Sequence, residues 1–258
     1  MALAVKSKEL PVRGMLPVSM LDWDGKLAAV LFVGGCNFRC PFCHNSDLVK
    51  DSSKTVLVEW NEISEHLVSK REWLDGVVIT GGEPTIYEEL LVFLKQIKDL
   101  GLPVKLDTNG ALPGALAEIV KEELVKYVAM DIKTSFGKYA LATNAKVDPA
   151  VIKESAALIR EAGVDYEFRT TLVPGIVNPE DVLEIAEILA GANAYYLQQF
   201  KPDQVLEPQA IIPSRISGEK GKSCKGIYLK DVKPYFSEEI EQMARECSKF
   251  LPTKVRSY

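Results

Sequence analysis

The feature that most limits the fold is an alternation of short apolar runs with helix-period segments along most of the chain. Leu27 to Val33 reads as a buried strand. Glu59 to Leu74 follows as a helix, with Ile63, Leu67 and Leu74 at helical spacing, and Val77 to Ile79 is the next strand. Tyr87 to Leu100 carries Leu90, Leu91, Leu94 and Ile97 on one face, and Gly101 ends that helix in the left-handed conformation that suits glycine. The pattern continues with a strand at Val104 to Leu106, a helix at Gly114 to Lys121 and a strand at Tyr127 to Met130. Asp148 caps a helix that has Pro149 first and stops at Gly163; after a strand at Tyr166 to Leu172, Asn178 caps another, with Pro179 first and Gly191 past its end. Tyr195 to Gln199 is the sixth strand. Such alternation predicts right-handed βαβ units and a parallel sheet. Residues 201–236 carry Pro202, Pro208, Pro213 and Pro234 and read as an irregular crossing, before one amphipathic helix from about Ser237 to Phe250 closes the chain.

Composition narrows the setting. The 258 residues carry a net charge of −5 and no basic cluster, so nucleic acid is excluded as a main partner. The longest apolar run, Leu27 to Val33, is too short to span a bilayer, and the first residues have no long apolar stretch after their charges. A cytoplasmic protein without a membrane partner is expected.

The unusual polar residues fall at predicted strand ends. Cys36, Cys40 and Cys43 follow the first strand, Gly81-Gly82-Glu83-Pro84 the second, Asp107-Thr108-Asn109-Gly110 the third and Asp131-Ile132-Lys133 the fourth. Arg169 lies within the fifth and Gln199 ends the sixth. In a parallel barrel or sheet those ends share one face, where sites are built. That collection points to an enzyme.

Each residue also has a plainer reading. Gly81-Gly82 and Asp107 to Gly110 suit turns, Glu83 a helix cap, and Asp131 with Lys133 an ion pair. Arg169 suits a core acid such as Glu167, His66 a helix surface or core edge, and Cys224 and Cys247 are ordinary residues. Asp107 and Asp131 together suit a small cation or a lysine. The cysteine triplet is harder to explain blandly. A redox CxxC or the haem pattern Cys40 to His44 leaves Cys36 without a role, and haem attachment needs export. Zinc needs a distant fourth ligand, because His44 adjoins Cys43. Three thiolates spaced CxxxCxxC suit an iron–sulfur cluster with one iron left without a protein ligand.

The segment Gly35-Cys36-Asn37-Phe38-Arg39-Cys40-Pro41-Phe42-Cys43-His44-Asn45 resembles the cluster loop of radical S-adenosylmethionine (SAM) enzymes, most of all the activating enzymes of glycyl-radical proteins. The GGEP, LDTNG and MDIK segments and Arg169-Thr170-Thr171 continue the match in order over residues 18–200. The resemblance implies an α/β fold: a partial, open (β/α)6 TIM-like barrel over residues 1–200 with a short lead-in. An irregular extension with a final helix, residues 201–258, packs on the same domain. It implies one [4Fe–4S] cluster on Cys36, Cys40 and Cys43, and SAM chelated to the fourth iron and cleaved to a 5′-deoxyadenosyl radical. Gly81 and Gly82 would let backbone approach the methionyl ammonium, with Glu83 near it. Phe42 and His44 would flank adenine, Asn109 the same cofactor, and Asp131, Ile132 and Lys133 the ribose and carboxylate. Asp107, Lys133 and Arg169 are the implied catalytic group.

The implied partners are a glycyl-radical enzyme, foremost anaerobic ribonucleoside-triphosphate reductase and then pyruvate formate-lyase, and a flavodoxin- or ferredoxin-type electron donor. Arg169, Gln199 and Asp22 or Asp24 would face the protein substrate. The competing functions are a radical SAM enzyme for a small molecule, of the deazapurine carboxylate synthase type, and an iron–sulfur electron carrier. Two departures stand out. Some relatives use a histidine near the fifth-strand loop, but this chain has only His44 and His66, so that contact is expected to be absent, or replaced around Val173 to Asn178. No cysteine-rich insert is present, so one cluster is expected.

Overall fold

The computed structural model describes residues 9–50, 55–203, 205–212 and 226–256. Its frame is one eight-stranded sheet in the order β1-β2-β3-β4-β5-β6-β7-β10. The strands are β1 (Val12–Ser19), β2 (Ala28–Val33), β3 (Gly76–Gly81), β4 (Val104–Thr108), β5 (Tyr127–Asp131), β6 (Asp165–Leu172), β7 (Tyr195–Gln199) and β10 (Thr253–Arg256). From β2 to β10 all neighbours pair in parallel, and β1 pairs antiparallel with β2. β1 and β10 are the two edges, so the sheet curls without closing. A small hairpin, β8 (Ile211–Ile212) with β9 (Ile227–Tyr228), lies apart. No helix of the described residues is long and apolar enough to cross a membrane.

The six central strands and the helices α2 (Trp60–Lys70), α3 (Glu89–Asp99), α4 (Pro113–Lys121), α6 (Pro149–Glu161) and α7 (Pro179–Ile188) lie where the periodicity places them. Asp148 accepts the Ala150 N–H at 2.9 Å behind Pro149, the expected cap. Two strands of the large sheet escape the sequence pattern. β1 contains Gly14 and Pro17 and has no clean alternation; an edge strand tolerates a proline because one side of its backbone needs no partner. β10 follows α8 (Ser237–Cys247), so a strand and not a helix is the last described element. Its four residues include two cations, the opposite of a buried-strand signature. Short helices α1 (Ser46–Lys50) and α5 (Tyr139–Thr143) are further additions.

Strand alternation explains both the core and the site. Outward residues Leu31, Ile79, Leu106, Val128, Phe168 and Leu197 are 0 % exposed and pack under the helices. The alternate, inward residues begin apolar, with Ala28, Val30 and Val78 closed below by Trp23. They turn polar across the sheet. Lys105 and Asp107 on β4, Asp131 on β5, Glu167 and Arg169 on β6 and Arg256 on β10 meet inside the curl as a chain of ion pairs.

Candidate active site at the strand ends

The C-terminal ends of the strands open into one cavity of about 500 Å³. Cys36, Cys40, Cys43, Phe42, His44, Gly81, Gly82, Glu83, Asp107, Asn109, Asp131, Lys133, Arg169 and Gln199 all line it. Ile132 does not: its side chain is fully buried, its N–H donates to the Arg169 carbonyl at 2.8 Å, and its carbonyl accepts from Thr170 at 2.7 Å. Thr80, Gln198 and Lys201 also line the cavity without lying in a motif, and so do Asn45, Thr108 and Thr171 from within the motifs.

The cysteine loop is held from several sides. Gly35 N–H donates to Leu48 O on α1, Arg39 N–H to Thr143 O on α5, and Arg39 Nη1 to Val49 O. Asn45 Nδ2 reaches Gly81 O at 2.7 Å, which fastens the loop to the end of β3. The segment after β7 closes another side, through Glu207 N–H to Pro41 O at 3.0 Å and His44 Nε2 against Lys201 O at 3.0 Å. Burial pushes the Cys36 thiol up to about 11 and Cys40 to about 12, and raises Cys43.

The donor set fits an iron–sulfur cluster. Among the described residues no three His, Cys, Asp or Glu side chains converge on a single ion. The three thiols instead line one cavity without meeting at a point, which suits thiolates that each take a different iron. Beside them, Phe42 is buried and His44 exposed.

The two glycines line the cavity and also hold a close backbone contact. A Cβ on Gly82 would stand 1.7 Å from the Gly35 carbonyl oxygen, and one on Gly81 2.5 Å from the Val33 backbone, at a φ of 118°. Gly82 N–H donates to Val33 O at 2.8 Å and Glu83 N–H to Gly35 O at 2.9 Å. The glycines thus let the β3 end lie directly on the backbone that leads to Cys36. Glu83 is 1 % exposed and receives Thr85 N–H, the Thr85 and Thr108 hydroxyls and the Asn109 N–H at 2.5 to 3.1 Å. Its carboxylate caps the 3-10 turn Pro84–Ile86 and joins the loops after β3 and β4. Burial raises its carboxyl, and those donors oppose the rise.

An arginine joins Asp107 to Asp131. Arg169 Nε lies 2.7 Å from Asp131 Oδ1 and Nη1 3.2 Å from Asp107 Oδ2, with Glu167 Oε1 at 3.8 Å. Lys133 Nζ is 2.9 Å from Asp131 Oδ2. Burial pulls the Asp131 carboxyl upward, but Arg169 and Lys133 outweigh it and hold it well below the usual range. Asp107 Oδ1 is buried and has no hydrogen-bond partner among the described residues. Gln199 donates to Tyr235 O at 3.1 Å. The turn after β6 gives the cavity no replacement for a histidine: Val173, Ile176 and Val177 are fully buried and turn into the core, leaving Thr171 on the wall. Cys247 is buried against Val182 O between α7 and α8, and Cys224 lies outside the described residues.

Comparison with known proteins agrees with this geometry. Residues 30–189 match the Radical SAM superfamily. A protein of Methanocaldococcus jannaschii, assigned by name to the glycyl-radical enzyme activating enzymes, is 34 % identical over 205 residues, covering 77 % of this chain and 83 % of its own. A 7-carboxy-7-deazaguanine synthase of Halobacterium salinarum is 28 % identical over 183 residues, 66 % of each chain. Streptococcus suis SuiB, solved with S-adenosylmethionine, superposes with a TM-score of 0.60 at 16 % identity, covering 86 % of this chain and 48 % of that one, and so shares the fold over about half its length. With a partial barrel, three cysteines at CxxxCxxC spacing and a family match across most of the sheet, the chain belongs to the radical SAM superfamily, alongside relatives named as glycyl-radical enzyme activating enzymes.

Proposed function

We propose that this protein reductively cleaves SAM and installs a glycyl radical on a partner enzyme, foremost an anaerobic ribonucleoside-triphosphate reductase. The observation that carries the reading is the relative named as an activating enzyme, matched over 83 % of its length. The cavity supports it. It opens at the C-terminal ends of the strands, where a second substrate can be met at its mouth. A glycine on a loop of a large protein suits that mouth.

Cys36, Cys40 and Cys43 would hold the cluster, and bound there it supplies the electron that splits SAM into methionine and a 5′-deoxyadenosyl radical. The chain's own residues bind and orient. Lys133, fixed by Asp131 and charged throughout the neutral range, would hold the methionyl carboxylate. Arg169 would hold Asp131 and Asp107 in place beneath it. Phe42 and the His44 ring would border adenine, and Asn109, which donates to Asn37 Oδ1 at 2.8 Å, would tie the loop after β4 to the cysteine loop. The electron would come from a flavodoxin- or ferredoxin-type donor. Hydrogen transfer needs the glycine Cα in van der Waals reach of C5′, so holding both loops still contributes directly to rate.

A second reading has one observation in its favour, the deazaguanine synthase relative, and would make the substrate a small heterocycle. Anaerobic incubation of the reconstituted protein with reductant, SAM and the candidate reductase separates the two. The activase reading expects a glycyl-radical doublet by electron paramagnetic resonance on the reductase. SAM cleavage stimulated only by a heterocycle, with no doublet, supports the other.

A further inference from the structure

The segment that follows β5 connects two parts of the site that the sequence leaves separate. It begins at Lys133 and ends on α5, beside the cysteine loop. Its path is pinned: the Thr134 hydroxyl donates to Ile176 O at 3.1 Å, and the Ser135 hydroxyl and Lys138 Nζ meet Asp181 at 2.6 and 2.7 Å. Asp181 is 4 % exposed at the start of α7, so the segment is anchored to the far wall. At its centre stands Tyr139, 1 % exposed. Its ring stacks on Phe136 with centroids 6.0 Å apart and meets Phe38, inside the cysteine loop, edge-on at 6.5 Å. Its hydroxyl oxygen accepts the Lys133 backbone N–H at 3.2 Å. One turn later the Thr143 hydroxyl donates back to Tyr139 O at 2.7 Å, and Thr143 O accepts the Arg39 N–H at 2.8 Å.

We propose that Tyr139 is a positioning residue that locks Lys133 to the cysteine loop, so that the lysine's place relative to Cys36, Cys40 and Cys43 is set by one buried side chain. The ring supplies packing against Phe38, and the hydroxyl supplies the acceptor that the Lys133 N–H has no strand partner to provide. A part-buried N–H that loses its acceptor is costly, so the peptide at Lys133 holds the orientation that faces Tyr139. The Nζ end is fixed by Asp131 at 2.9 Å, and the side chain is thereby held at both ends. The inference rests on the reading of Lys133 as a contact to SAM.

Tyr139→Phe keeps the ring and deletes the acceptor. In the cofactor-free protein, amide hydrogen exchange at Lys133 should accelerate at least about tenfold, while exchange at Arg39 is unchanged. After anaerobic reconstitution the iron content should match the wild type, and SAM measured by equilibrium dialysis should bind about tenfold more weakly. Tyr139→Leu removes the packing as well and should also lower iron content. Unchanged exchange and unchanged SAM affinity in Tyr139→Phe would overturn the proposal, and so would loss of iron in that variant, which would make Tyr139 a support of the cysteine loop alone. Lys133→Ala is the separating arm. Normal SAM binding there defeats the lysine's assignment itself, whereas weakened binding there with normal binding in Tyr139→Phe defeats only the role of Tyr139.

Discussion

Replacing Gly82 by alanine tests how the two loops are held. The added Cβ would stand 1.7 Å from the Gly35 carbonyl oxygen and 2.6 Å from its carbon. A comfortable carbon–oxygen contact is about 3.3 Å, so the two backbones must part by roughly 1.5 Å. That separation breaks the Gly82 N–H to Val33 O and Glu83 N–H to Gly35 O hydrogen bonds, each worth about 1 kcal/mol, and adds overpacking strain of about 1–3 kcal/mol. A loss of about 3–5 kcal/mol corresponds to a fall in Tm of roughly 6–20 °C for a chain of this size. Because Gly35 adjoins Cys36, iron content after reconstitution should fall as well. Calorimetry and iron assay on Gly82→Ala read both quantities. Gly114→Ala, at a helical position with nothing within 4 Å of the new atom, is the control and should be neutral or slightly stabilising. If Gly82→Ala kept its Tm and iron but lost SAM binding, the glycine would serve cofactor approach, and the backbone-contact argument would be refuted.

Further outcomes follow from the same geometry. Cys36→Ala, Cys40→Ala and Cys43→Ala should each abolish the roughly four irons per chain that one cluster holds, while Cys247→Ala keeps the iron and loses about 1 kcal/mol of core stability in urea unfolding. Arg169→Met removes the cation that pairs with both Asp107 and Asp131 and should destabilise the fold by about 3–5 kcal/mol, so it cannot separate partner recognition from SAM chemistry. Burial pulls the Glu167 carboxyl upward, but Arg256, Arg169 and Lys105 outweigh it and hold it below the usual range. Its contribution is therefore full above the unfolded value of about 4.3 and is lost as pH falls through the lower folded value; Glu167→Gln should flatten that acid limb of a stability–pH curve.

What the sequence discloses and what it hides have separate physical causes. β2 to β7 and the helices between them are legible because each buries one apolar stripe, and burial imposes period. β1 and β10 are edges, where the demand is weak, and β10 spends Arg256 on the interior ion pairs instead of an apolar contact. The cysteines are legible because three thiols in eight residues have few other uses. Glu83, Gly82 and Arg169 are legible as special, but not in what they touch: each is committed to a partner distant in the chain, Thr108 and Asn109, Gly35, and Asp107 with Asp131. Tyr139 gives no signal, since an aromatic in a short helix looks like ordinary core.

The most direct test of the account follows one hydrogen atom. The candidate reductase would be prepared with α-deuterated glycine and incubated anaerobically with the reconstituted, reduced protein and SAM, and the 5′-deoxyadenosine would be analysed by mass spectrometry. Abstraction from the glycine Cα predicts one deuterium in that product, together with narrowing of the glycyl-radical doublet relative to unlabelled reductase. Release of 5′-deoxyadenosine at the same rate with no deuterium and no glycyl signal would contradict the claim that this cavity acts on a glycine of a partner protein.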